Sequence, residues 1–211
     1  MATIPNNQKI LTSAPEVNTT YGGPASLQAL NTWYTMEDIA NTVRPYKVYT
    51  ALLTQSGGDN PSYVDVNTGA IVIGTTYEIN DAGDIDWDFT NIGAPSNNPG
   101  TKFVATGVTP NIWGNGILDY NTGAPVVTVL ENTIGNIWFE YSDVGEYFIN
   151  SDGIINSEKT TVFVGCFKES IAPVTYGTKY NGSGITLTTA DDLVPSDALL
   201  SETSIEIRVY N

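Results

Sequence analysis

From Tyr46 onward the chain is a succession of short β-branched and aromatic runs, each closed by glycine, asparagine, serine or proline. No other feature limits the fold as strongly, because short runs of this kind between turn formers are strands. The runs fall at residues 46–53, 70–73, 76–79, 102–106, 126–131, 136–141, 146–149, 160–167, 184–188 and 204–210. Turn signals such as Asn67-Thr68-Gly69 and Asn121-Thr122-Gly123 suit an antiparallel arrangement. Strand–helix–strand alternation is missing, which argues against an α/β nucleotide-binding fold. The expected class is all-β, an antiparallel β-sandwich or barrel-like domain.

The first 45 residues read differently. Pro5, Pro15 and Pro24, spaced by asparagine, threonine and glycine, make residues 1–24 an extended arm, because proline lacks a backbone donor and blocks helix. Such an arm is either disordered or laid along a partner. Residues 26–43 carry the one helical pattern: Leu27, Leu30, Trp33 and Tyr34 recur at helical spacing, and Met36, Ile39, Ala40 and Val43 continue it. Thr35 and Asp38 resemble a capping box, so two short helices fit as well as one. Arg44-Pro45 ends the pattern. An apolar helix joined to an extended peptide is hard to stabilise alone. Leu27, Leu30, Trp33, Tyr34, Met36 and Ile39 are therefore the candidate partner-binding residues, with packing onto the chain's own β-domain as the alternative.

Charge narrows the partners. Charged residues make up 15% of the 211, against about a quarter in ordinary domains. Their balance, 8 basic to 23 acidic, gives a net charge of −15. Phosphate backbones and anionic membrane surfaces are repelled by such a chain, so neither nucleic acid nor membrane is an expected partner. The acidity serves solubility or docking onto a basic surface. Met1 to Asn7 shows neither a basic start nor an apolar stretch, so no secretory leader is expected, and no window reaches transmembrane length. The single cysteine, Cys166, lies in an apolar run and reads as a small core residue.

The chain contains no histidine. Serine–histidine and cysteine–histidine catalysis and the usual zinc sites are thereby excluded. Paired carboxylates remain the one catalytic possibility. The acidic cluster is Asp81, Asp84, Asp86 and Asp88 after Glu78. Asp84, Asp86 and Asp88 alternate and could offer oxygens to Ca2+, but the glycine and glutamate placement of an EF-hand is missing. A solvated turn is the plainer reading. Tryptophan and tyrosine could stack on sugars or fill cores. Tyr77, Trp138 and Tyr147 sit in strand runs and are assigned to the core. Trp87 and Trp113 lie near turns and are the candidate glycan contacts. No catalytic residue and no cofactor is expected.

Two stretches carry a resemblance. The first is split between Tyr46-Lys47-Val48-Tyr49-Thr50-Ala51-Leu52-Leu53-Thr54-Gln55-Ser56-Gly57 and Ala124-Pro125-Val126-Val127-Thr128-Val129-Leu130-Glu131-Asn132-Thr133-Ile134-Gly135, continued by Ile137-Trp138-Phe139-Glu140-Tyr141 and Val144-Gly145-Glu146-Tyr147. The second is Ile73-Gly74-Thr75-Thr76-Tyr77-Glu78-Ile79, then Asp88-Phe89-Thr90-Asn91-Ile92-Gly93-Ala94-Pro95, then Gly100-Thr101-Lys102-Phe103-Val104-Ala105-Thr106-Gly107. The first resembles tailed-bacteriophage structural proteins. The second is similar to a small β-module that recurs in phage fibre and decoration proteins, in which Asp88 would serve the turn.

The resemblance implies three parts: an anchoring arm and helix at 1–45, a host β-domain at 46–61 and 122–211, and an inserted module at 62–121. One continuous sandwich over 46–211 is the alternative. It also implies a non-enzymatic head fibre or capsid decoration protein on the particle exterior, assembled in the host cytoplasm. Its partners would be capsid or other virion proteins, further copies of itself (a trimer for a fibre) and a host surface glycan. A tail or collar fibre, a glycan-binding adhesin module and a β-sheet glycosidase are the rivals.

Overall fold

The structure, a computed structural model, describes residues 10–11, 33–34, 45–55, 61–80, 86–165, 174–180 and 184–210. The chain divides into two compact units, Met1–Lys47 with Asn211, and Val48–Tyr210. In the first, β1 (Ile10–Leu11) pairs antiparallel with β2 (Trp33–Tyr34). This corrects the helix expected over 26–43 at the two positions that are described. Trp33 and Tyr34 are strand, since adjacent aromatics suit a pleated ribbon and the pairing to Ile10 and Leu11 overrides their helical spacing. Leu27, Leu30, Met36 and Ile39 lie outside the described residues, as do Asp84 and Cys166.

The remaining strands are β3 (Tyr46–Thr54), β4 (Tyr63–Val66), β5 (Thr76–Ile79), β6 (Lys102–Val104), β7 (Leu118–Asn121), β8 (Val126–Asn132) and β9 (Ile137–Asp143). They continue with β10 (Glu146–Ser151), β11 (Thr160–Gly165), β12 (Val174–Tyr180), β13 (Gly184–Asp191), β14 (Val194–Pro195) and β15 (Thr203–Tyr210). The second unit is all-β, as its alternating runs predict. Its three sheets are ordered β11-β15-β3-β8, β12-β13-β10-β9 with β14 beside β13, and β4-β7-β5-β6.

The first two sheets enclose one core. Alternate residues point inward along β15 (Thr203, Ile205, Ile207, Val209), β10 (Tyr147, Ile149, Ser151) and β9 (Ile137, Phe139). They meet Tyr49, Ala51 and Leu53 of β3 and Ile185 and Leu187 of β13. This is a sandwich. Truncating a ring such as fully buried Phe139 there would cost about 3–5 kcal/mol. One end of the sandwich is fastened by Asp197, which accepts hydrogen bonds from the hydroxyls of Tyr141 (3.0 Å) and Tyr147 (3.1 Å) and from the Gly145 N–H (2.8 Å). Burial first, and then the Asp197 bond and charge, push the Tyr141 hydroxyl up to about 12.

The third sheet has its own core of Ile71, Tyr77, Ile79, Trp87, Phe89, Ile92, Phe103 and Leu118. Much of it comes from loops. Residues 70–73, expected as strand, are instead a loop and tight turn in which the Thr75 N–H reaches the Val72 carbonyl at 3.3 Å. Gly74 closes that turn at φ +85°, a backbone state that excludes a strand there.

This small sheet is docked onto the sandwich. The Val127 N–H donates to the Gly74 carbonyl at 2.9 Å, the Phe139 N–H to Thr76 Oγ1 at 3.0 Å, and Asn136 Nδ2 to the Lys102 carbonyl at 2.9 Å. Val104 of β6 is counted within the sandwich core. β3 and β8 pair antiparallel, Leu53 opposite Val127, although the whole small sheet lies between them in sequence.

Candidate functional site

The acidic loop is a turn built around two carboxylates. Asp88 Oδ1 accepts from the Thr90 hydroxyl (2.6 Å), the Thr90 N–H (3.0 Å) and Asn97 Nδ2 (3.3 Å), and Oδ2 from Asn111 Nδ2 (2.9 Å). The Thr90 hydroxyl and Asn111 amide, followed by the Thr90 N–H, hold this carboxyl well below the usual aspartate range. Asp86 accepts from the Asn115 N–H (2.8 Å) and side chain (3.1 Å). The two carboxylates thus organise separate turns. Among the described residues no three histidine, cysteine or acidic side chains are placed to hold a metal ion.

The two tryptophans taken as glycan contacts are used differently. Trp87 is only 3% exposed, and its indole N–H donates to the Asn97 carbonyl at 3.0 Å. No face of it is open to a sugar, a correction that follows from the module building its core out of loops. Trp113 is half-buried, lies edge-on to Phe89 at 5.6 Å, and donates to the Gly69 carbonyl at 3.2 Å. Both indoles pack in the core of the small sheet, Trp113 against the cluster that holds Trp87, so the pair offers no open aromatic surface.

Trp138, assigned to the core from sequence, is half-buried and lines an open cleft. Ile137 and Phe139 point into the sandwich, so Trp138 and Glu140 face the opposite way, toward the docked module. Register places Asn150 directly across from Trp138. Against this face lies the segment from Pro95 to Lys102. Between the two runs a cleft of about 650 Å3, walled on one side by Pro95, Ser96, Pro99, Gly100, Thr101 and Lys102. Asn136, Trp138, Glu140, Asn150 and Asp152 form the other wall.

The polar groups of the cleft are partly committed. Lys102 is ion-paired to Glu140 and lies 3.4 Å from Glu78. Burial draws the Lys102 ammonium down, but the Glu140 hydrogen bond and the charges of Glu140 and Glu78 outweigh it and leave the group raised. Asn150 Nδ2 donates to the second Glu140 oxygen at 2.6 Å, and the Ser96 and Thr101 hydroxyls bond each other at 2.8 Å. The Trp138 indole N–H is buried and has no acceptor among the described residues. A donor left in that state costs about 1–3 kcal/mol.

A row of ionisable side chains leads up to the cleft. Cross-strand register sets Asp65 of β4 opposite Asp119 of β7, Asp119 opposite Glu78 of β5, and Glu78 opposite Lys102 of β6. Burial, then hydrogen bonding with Asp65 and the charges of Asp65 and Glu78, raise the Asp119 carboxyl despite the bond from Asn80. None of these pairings shows in a linear reading, because β4 and β7 are only four residues each and pair across long stretches of sequence.

Comparison with protein-family models, with curated proteins and with solved structures returned no match.

Proposed function

We propose that the chain is a non-enzymatic structural protein of a bacteriophage particle, a head fibre or capsid decoration protein that displays its β-sheets outward. The observation that carries this reading is the pairing of β3 with β8. β3 and β8, one from each half of the phage-type motif, are neighbours in one sheet, with a small sheet spanning residues 63–121 of the sequence between them. A module grown in a loop is a low-cost addition, because closure entropy rises slowly with loop length. The acidic, histidine-free composition supports mechanical or adhesive work over catalysis.

In this reading residues 1–45 anchor the chain to capsid or neighbouring copies, and the Val48–Tyr210 unit projects from the particle exterior. The test is deletion of residues 1–44 followed by assembly with particles. The truncated protein should stay folded and fail to co-purify with capsids. Normal incorporation would overturn the anchoring role, and incorporation of neither form into any particle would overturn the assignment.

A further inference from the structure

We propose that the cleft between residues 95–102 and the outer face of β9 and β10 binds a neutral saccharide, with Trp138 as its aromatic platform. The inference stands on the cleft alone and goes beyond a place on a particle, so either conclusion can fail without the other.

Size comes first. At about 650 Å3 the cleft falls within the range of small-molecule sites, and like many of them it lies where two packed substructures meet. It has room for a short oligosaccharide and too little for a folded partner.

The lining then selects the chemistry. A sugar ring offers an apolar C–H face and a rim of hydroxyls that both donate and accept. The cleft matches both halves: half-buried Trp138 with Pro95 and Pro99 for the ring face, Asn136, Asn150 and Asp152 for the rim. The amides keep acceptor capacity, since Asn136 Nδ2 is given to the Lys102 carbonyl and Asn150 Nδ2 to Glu140 while their oxygens accept no hydrogen bond among the described residues. Asp152 is exposed and has no hydrogen-bond partner among the described residues, leaving a carboxylate able to accept from two hydroxyls.

Charge excludes the competing ligands. The lining carries Lys102 against Glu140 and Asp152, and Lys102 is already held by Glu140 and Glu78. No cation is left to receive a phosphate, sulfate or sialic-acid carboxylate, and the chain as a whole is at −15. An extended peptide would look for an unpaired strand edge. Here β9 packs against β5 and β6 of the small sheet, and its Phe139 N–H is taken by Thr76.

The experiment screens the full chain against an array of neutral and acidic glycans and measures the best ligand by calorimetry and tryptophan fluorescence. A neutral glycan should bind. Trp138→Ala should weaken it about tenfold or more, with a smaller loss for Trp138→Phe and for Asp152→Ala, while Trp113→Phe leaves it unchanged. Thermal melts establish that each variant is folded. Where Trp138→Ala does not fold, Trp138→Phe and Asp152→Ala carry the test. The proposal is overturned if no neutral glycan binds, if only acidic glycans bind, if those variants bind normally, or if only the Trp113 variant loses binding.

Discussion

Replacing Gly74 with alanine is the sharpest test of how the small sheet is held to the sandwich. At φ +85° the residue sits where an L side chain is strained, and a Cβ there would lie 2.2 Å from the Val127 carbonyl oxygen and 3.1 Å from its carbonyl carbon. The left-handed backbone alone costs alanine about 1–2 kcal/mol. A carbon–oxygen contact normally settles near 3.3–3.6 Å, so the two backbones must part by roughly 1 Å. That separation breaks the Val127–Gly74 hydrogen bond and strains the 2.8 Å bond from the Gly74 N–H to Ala105. A lost bond of this kind costs about 1 kcal/mol net, and an orphaned buried peptide group about 1–3 kcal/mol. The expected loss is about 3–6 kcal/mol.

Gly69 supplies the control. Its φ is +83°, almost the same, but a Cβ there meets nothing within 4 Å. Gly69→Ala therefore carries the conformational term without the collision, about 1–2 kcal/mol. The change in unfolded-state entropy is common to both variants and cancels in their difference. Urea denaturation followed by tryptophan fluorescence should place G74A at least about 2 kcal/mol below G69A. If the two variants unfold within about 0.5 kcal/mol of each other, the docking contact at Gly74 does not hold the sheets together and the argument fails.

Two further outcomes follow from the docked sheet. Asp119 has a raised carboxyl, so the folded state holds its proton more tightly than the unfolded chain, and its contribution is lost as pH climbs from the ordinary value of 3.8 through the raised one. Asp119→Asn should therefore gain about 0.5–1 kcal/mol at pH 7 and nothing at pH 3, as read from melts at both; a gain that persists at pH 3 would point elsewhere. Limited proteolysis should spare residues 121–123. There the Thr122 N–H is tied to the Ser62 carbonyl at 3.0 Å, and Gly123 packs on Pro61 and Tyr141. Rapid cutting at that turn with release of a stable 62–121 fragment would show the module to be a separable folding unit, weakly held.

Where alternation was strong, sequence and structure agree. Residues 204–210 predict β15 because Ile205, Ile207 and Val209 repeat at period two, and residues 76–79 are β5 as read. The strands absent from a linear reading are those whose strand-favouring runs are short or interrupted. β4 is only four residues with Asp65 inside it, β7 carries Asp119 and Asn121, and Gly177 interrupts β12, so each apolar run is too short or broken to stand out until packing assembles the sheet. Trp87 and Trp138 depart from a linear reading for a related reason. Proximity to a turn suggested exposure for Trp87, but the module's core is assembled from its loops. Residence in a strand suggested burial for Trp138, yet its phase against Ile137 and Phe139 already set it on the other face. That phase is legible in sequence; what covers the face is not.

The cleft exists because of the docking and in neither part alone. One wall, residues 95–102, is the end of the long β5–β6 connection with the first residue of β6; the other is the outer face of β9 with the end of β10. No local preference brings them together. Their spacing is set by the bonds that seat the module: Gly74 to Val127, Thr76 to Phe139, Lys102 to Asn136 and Glu140. Lys102 is the hinge of this arrangement, ending the row that starts at Asp65 and meeting Glu140, which in turn orients Asn150. A ligand touching both walls must therefore favour the docked state and raise resistance to unfolding in proportion to its concentration. Weakening the seam must in turn weaken the ligand, since both draw on the same contacts. The small sheet docked on the sandwich thus creates a site at the join, on a face that would otherwise present only the flat, solvated side of a strand pair.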